Sequence, residues 1–223
     1  MKYLLHLLGS DSRKTKVTLM LSLLTCFCTA MLLARVVYTN DFYYGFLLWN
    51  LFLAWIPFIF AWFTYKNYFL SGNKVWIAIT AFTWLIFFPN APYIITDLIH
   101  IQTRTGIPVW FDAVLVFCFA FDGFVLGLAS LYMIHRILED KFQSVVSWLM
   151  ILTIIILSGY GIYMGRILRW NSWDVFTHTL PMLHEVHDTF FTTSSVAMIM
   201  VFSIFIGITY PFLFYFVRSV QKK

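Results

Sequence analysis

Charge is the scarcest ingredient of this chain. Its 223 residues include 15 Lys and Arg and 10 Asp and Glu, or 11% charged. A water-soluble domain carries about 25%. Apolar residues make up 61%, aromatics alone 21%, and the mean hydropathy is +0.82. That balance leaves too little polar surface to cover a soluble globule, and it excludes a disordered chain and an ordinary soluble enzyme. Cysteine is also sparse. Cys26, Cys28 and Cys118 all fall in apolar runs, and the first two, two apart, point to nearly opposite sides of a helix. A disulfide scaffold and a local metal pair are both excluded. No G-x-S-x-G, phosphate loop, Cys-x-x-Cys or paired histidine for haem is present. Gly159-x-Gly161-x3-Gly165 has the wrong spacing for a dinucleotide fingerprint and follows no strand. The cofactor therefore stays unassigned.

What is present is a set of apolar runs. A spanning helix needs about 20 mainly apolar residues. Six stretches approach that length: 17–38, 42–65, 75–88 with a continuation to about 101, 110–135, 145–165 and 194–217. The first follows a basic lead, but its apolar run is too long for a signal core and no A-x-A site follows. The expectation is an all-α membrane protein, a single polytopic domain over 1–223. It has six transmembrane helices, a Pro-broken third helix and an outer interfacial helix before the sixth.

Lys and Arg placement sets the expected orientation. With both termini in the cytoplasm, inner segments hold 11 of the 15 basic residues, and the outer half keeps Arg35, Arg104, Arg166 and Arg169. Seven of the ten acids go to the outer side or the membrane. The basic excess thus reports topology and anionic-lipid contact, not nucleic acid. The longer outer segments, 89–109 and 166–193, are where chemistry is expected.

The third span is 14 residues long before it meets Pro89-Asn90-Ala91-Pro92. Two prolines remove two backbone donors and disfavour helix at Phe88 and Ala91. Beyond them Asn90, Tyr93, Asp97, His100 and Arg104 are spaced 3, 4, 3 and 4, one face of a helix. Two readings stand. Either the break aims Asn90, Asp97 and His100 into a polar pocket, or an amphipathic helix lies on the outer surface with this face in water.

Asp122 falls near mid-depth of the fourth span, where a carboxylate costs at least about 2.5 kcal/mol and must face inward. Arg35, Arg166 and Arg169 are the possible cations, all expected nearer the outer surface, and its partner stays open. Gly123-x3-Gly127 in the same span and Gly161-x3-Gly165 in the fifth allow close backbone approach, to each other or to another helix.

After the fifth span, Arg166 and Arg169 share a face, and arginine suits carboxylate or phosphate recognition. Asn171 or Ser172 is placed to cap a helix with Asp174 in its first turn. His178, His184 and His187 follow, but His184-Glu-Val-His187 is not H-E-x-x-H, and no metal is assigned.

F-F-P-N-A-P-Y-I-I-T-D-L-I-H at 87–100, W-F-D at 110–112, G-I-Y-M-G-R at 161–166 and R-W-N-S-W-D at 169–174 resemble the bacterial integral-membrane family filed as Domain of Unknown Function 1361. The resemblance implies a multi-pass protein of the bacterial cytoplasmic membrane and implies no reaction. Its motif positions correspond to Asn90, Pro92, Tyr93, Asp97, His100, Asp112, Arg166, Asn171, Trp173 and Asp174, all outer in this threading.

Three functions remain open. One is a pocket at the outer leaflet for an anionic lipid or cell-envelope small molecule. Asp97 and His100 would then serve as catalytic acid and base. Asn90, Tyr93, Asp112, Arg166, Arg169, Asn171, Trp173 and Asp174 would bind substrate. The second is a small proton-linked transporter or channel using Asp122. The third is a non-catalytic partner in an envelope complex. The sequence decides neither catalysis nor protein partners.

Overall fold

A computed structural model describes residues 2–102 and 106–221, with side chains placed for 16–102 and 106–220. Arg104, the last member of the 3-4-3-4 series, lies outside the described residues. Those described form helices and turns and include no strand.

The first helix, α1 (Lys2–Thr39), ends as Asn40 turns to positive φ, and a short 3₁₀ turn (Tyr43–Gly45) leads into α2 (Phe46–Leu70). At the start of α3 (Lys74–Phe87), the Asn73 carboxamide oxygen accepts from the N–H groups of Val75 and Trp76. A side-chain acceptor there satisfies donors that have no helical partner.

Helix α3 gives out at Phe88-Pro89. One turn, α4 (Asn90–Tyr93), passes into a seven-residue 3₁₀ helix (Ile94–His100). Pro89 and Pro92 bring no N–H to an α-helical ladder, so the chain tightens instead of stopping. A 3₁₀ run longer than three or four residues is uncommon and depends on its surroundings. Here the surroundings are glycines.

The central helix is α5 (Val109–Lys141). In its apolar window 67% of residues are buried inside the bundle, against 11% in the last span, which places α5 at the hub and the last helix at the rim. A β-carbon on Gly123 would lie 2.6 Å from Ile94 Cγ2, and one on Gly127 would lie 3.0 Å from the Ala91 Cβ. Helix α6 (Ser144–Tyr163) closes the other side. A β-carbon on Gly161 would lie 2.6 Å from Pro89 Cγ, and one on Gly165 would lie 3.2 Å from the Tyr93 ring. The glycine pairs of the fourth and fifth spans thus meet the broken segment, which they hold between them. Gly159, by contrast, faces the Ile199 backbone of the last helix.

A wide π-helical turn (Met164–Leu168) ends the fifth span. Arg169 then adopts a left-handed φ of 63°, and the Trp170 N–H bonds the Met164 carbonyl. Two short helices follow, α7 (Asp174–Thr177) and α8 (Thr179–Thr189). No residue of α8 is buried, and it is tied down by Trp170 Nε1 donating to Glu185 at 2.6 Å. The chain ends in α9 (Thr193–Gln221).

Six helical stretches are long and apolar enough to cross a membrane: Lys16–Thr39, Tyr43–Leu70, Lys74–His100, Val109–Lys141, Ser144–Leu168 and Thr193–Val220. Large apolar side chains stand open on their outer faces, among them Met20 at 68%, Phe212 at 75% and Val201 at 64%. Water would not tolerate so broad an apolar surface, and lipid does. The chain is an all-α, multi-pass membrane protein.

Candidate functional site

Arg166 organises one end of the bundle. The π-helical turn carries its guanidinium to the 3₁₀ segment. There NH1 donates to Tyr93 Oη and Asp97 Oδ1, both at 3.3 Å. Its NH2 donates to the Thr96 carbonyl at 3.0 Å and meets His100 Nε2 at 2.9 Å. An arginine only donates, so Nε2 accepts here and a neutral His100 carries its proton on Nδ1. The second Asp97 oxygen accepts from Asn50 Nδ2 at 2.6 Å, and Asp97 is 1% exposed. Four side chains named from their spacing, Tyr93, Asp97, His100 and Arg166, therefore meet at one point. Arg166 sits between Asp97 and His100 and occupies both.

Beside this cluster is a cavity of about 210 Å³. Its polar wall is Asn50, Asn90, Tyr93, Asn171 and Ser172, and its aromatic wall is Trp49, Trp170 and Trp173. Leu53, Ile86, Met164 and Met182 supply much of the apolar remainder. Asn90 Nδ2 donates to Ser172 Oγ at 2.8 Å, joining the broken segment to the loop after the fifth span. Trp49 and Trp173 stand edge to face with centroids 6.3 Å apart. Among the described residues no charged side chain lines the cavity. Asp97, His100 and Arg166 lie behind its Asn50 and Tyr93 wall.

The other sequence-derived positions are placed elsewhere. Asp112 pairs with Arg35 of α1 through two hydrogen bonds, with both side chains sealed. Tyr44 links that pair to the site, since Arg35 lies over its ring at 4.6 Å and its hydroxyl donates to the His100 carbonyl at 3.2 Å. Asp174 serves its own loop. One oxygen accepts from the Asn171 N–H at 2.7 Å, and that bond holds its carboxyl below the usual carboxylate range. Arg169 is exposed, and its side chain has no hydrogen bond or ion pair among the described residues. Asp122 is fully buried, and its Oδ2 accepts from Thr25 Oγ1 at 2.6 Å. Its Oδ1 has no partner, and no cation pairs with it among the described residues. His178 and His187 are largely exposed, and no group of three potential metal-ligating residues occurs among the described residues.

Asn50, Arg35, Tyr44, Ser172, Trp49 and Trp170 were not singled out as site residues from the sequence. Asn50 had a readable signal. It is the one amide in the apolar run from Phe46 to Phe63, and a buried amide needs a partner. Arg35, at the end of an apolar span, had the same kind of signal.

No curated protein and no solved structure matches this chain. The family model described as "Protein of unknown function (DUF1361)" matches residues 49–209, which take in every residue lining the cavity from Trp49 to Met182, and the chain belongs to that family.

Proposed function

We propose that the cavity binds the head of an amphiphile, an anionic lipid or a cell-envelope small molecule. The observation that carries this is the division of its wall, with amides, a phenol and a hydroxyl on one part and Leu53, Ile86, Met164 and Met182 on another. Such a wall suits a ligand that changes from polar to apolar along its length. The charge distribution of the loops supports both termini in the cytoplasm, and on that reading the cavity faces the outer leaflet of a bacterial cytoplasmic membrane. Among the described residues, Arg169, exposed and with its side chain unpaired beside Trp170, is a guanidinium free to meet an anionic group, because Arg166 is committed to Asp97. The geometry favours binding over acid–base catalysis at Asp97 and His100, since Arg166 already engages both.

The test is photocrosslinking in native membranes. A benzophenone amino acid in place of Val175, which lines the cavity, should capture a lipid or envelope intermediate detectable by mass spectrometry. The same group in place of Phe212, on the open face of α9, gives the background of bulk lipid. If the two positions capture the same species in the same proportion, the binding reading fails.

Asp122 supports a second reading, proton-linked transport. This residue is a fully buried acid with an unpartnered oxygen and no paired cation among the described residues, a group suited to carry a proton in mid-span. Flux in proteoliposomes that disappears in Asp122→Asn would favour it. Equal flux in protein-free vesicles would end it.

A further inference from the structure

The hydrogen-bonding groups of the cavity are not equally occupied, and the pattern of what is left over selects a ligand chemistry. Each of the three amides is held in one orientation by a partner that only accepts. Asn50 Nδ2 donates to the Asp97 carboxylate, Asn90 Nδ2 to the Phe87 carbonyl, and Asn171 Nδ2 to the Asp174 carboxylate. The nitrogen of each is thereby identified, and the opposite atom is the carbonyl oxygen. Asn90 uses both its N–H bonds, on Phe87 and Ser172. None of the three Oδ1 atoms has a hydrogen bond among the described residues. Asn50 and Asn90 are half-buried, yet neither oxygen belongs to the unpartnered atoms sealed from solvent, so both reach open space.

The hydroxyls complement these acceptors. Tyr93 Oη accepts from Arg166, and Ser172 Oγ accepts from Asn90, which leaves each O–H free to donate. The residues lining the cavity therefore carry unused amide carbonyl acceptors, those of Asn50 and Asn90 among them, together with hydroxyl donors. A fully ionised phosphate or a carboxylate has only acceptors and would face like partial charges at each amide oxygen. A hydroxyl group donates and accepts, so it satisfies both kinds of wall atom. Among the described residues no cationic side chain lines the cavity to offset an anion there, and Arg166, behind the Tyr93 wall, has both its NH groups engaged on four partners. The indoles of Trp49, Trp170 and Trp173 add flat apolar faces. Such faces pack against the C–H face of a pyranose while its hydroxyls bond sideways.

We infer that the group seated inside the cavity is an uncharged polyhydroxylated ring, a glycosyl headgroup. This deepens the proposed binding function and rests on it. Any anionic part of the ligand stays at the mouth with Arg169, and the apolar chain follows Leu53, Ile86 and Met182.

The test uses the full chain in phosphatidylcholine nanodiscs, with binding read by native mass spectrometry and by tryptophan fluorescence. Three probes are compared: glucosyl diacylglycerol, phosphatidic acid of the same acyl chains, and methyl glucoside. Saturable binding of glucosyl diacylglycerol over phosphatidic acid is expected, weakened about tenfold in Trp173→Ala. Ser172→Ala, which removes the hydroxyl that donates to the ligand and accepts from Asn90 and takes away no ring, should weaken it as well. Phe212→Ala on the open face of α9 should leave it unchanged and reports on folding. Phosphatidic acid binding as tightly as the glycolipid, or more tightly, overturns the glycosyl assignment and leaves the amphiphile reading standing. Methyl glucoside binding as tightly as the glycolipid keeps the glycosyl assignment and overturns the lipid one. Binding of none of the three overturns both.

Discussion

Arg35 Nε donates to Asp112 Oδ1 at 2.7 Å and its NH2 to Oδ2 at 3.2 Å, and each side chain is 1% exposed. This two-bond pair joins α1 to the hub helix α5. It makes no part of the cavity wall, so its work is to hold the site end of the bundle in register. Through Tyr44 it also steadies the His100 backbone.

Removing one member of that pair should cost more than removing both. Asp112→Asn takes away the charge that Arg35 bonds directly and leaves the half-exposed Asp41 carboxylate, 3.9 Å from NH1, as its remaining counter-charge, so the loss should approach that of a broken buried pair, about 3–5 kcal/mol. The combination of Arg35→Met with Asp112→Leu should recover most of that loss. Thermal unfolding of the purified variants in detergent checks the order, and an equal Tm for the single and double variants would refute it.

Asp122 should behave in the opposite way. It accepts one hydrogen bond from Thr25 and faces no cation, so a neutral amide of the same shape fits the site. Asp122→Asn is expected to change stability by less than about 1 kcal/mol, within the range of a single hydrogen bond. The same unfolding measurement, run beside Asp112→Asn, shows whether the two aspartates differ.

The broken segment depends on the glycines that flank it. Gly161→Ala drives a methyl to within 2.6 Å of the Pro89 ring, and Gly123→Ala does the same to the buried Ile94. Each should cost about 1–3 kcal/mol by overpacking. Gly207→Ala has nothing within 4 Å of the new methyl and should be neutral or slightly stabilising, since alanine favours helix. Melting temperatures of the three variants test the contrast.

Acid should loosen the 170–177 loop. The Asn171 N–H holds the Asp174 carboxyl below its usual range, so the carboxylate stabilises the loop fully above the unfolded range. That contribution is lost as the pH falls from there through the folded value. Trp170 and Trp173 report on the loop by fluorescence. The wild type should show an acid transition that is missing in Asp174→Asn, whose loop should already be looser at neutral pH.

Much of the fold is legible without coordinates. Six apolar runs of spanning length and sparse charge predict six membrane helices, and the structure has six stretches that qualify. The prolines at 89 and 92 mark where the regular α-helical ladder ends, because proline acts on its own neighbours, whereas the passage into a 3₁₀ helix with Ala91 still helical is not legible from them. The site is legible only in part. The Asn90, Tyr93, Asp97 and His100 series marks one face, and Arg166 is a visible charge at the end of a span. Their meeting is a property of packing, and so is the presence of Asn50 on a helix whose other residues read as lipid-facing or core.

Span length, hydropathy and local breaks are sums over neighbouring residues, so the order of amino acids alone decides them. Which acid meets which base depends on how helices far apart in the chain are rotated and how closely they approach. Asp122 received Thr25 and Asp112 received Arg35, a pairing that charge and depth did not foretell. Gly123 and Gly161 set that approach by letting a proline-broken turn fit between α5 and α6. A missing β-carbon matters only against the particular atoms that fill its place, and those are chosen by the folded bundle.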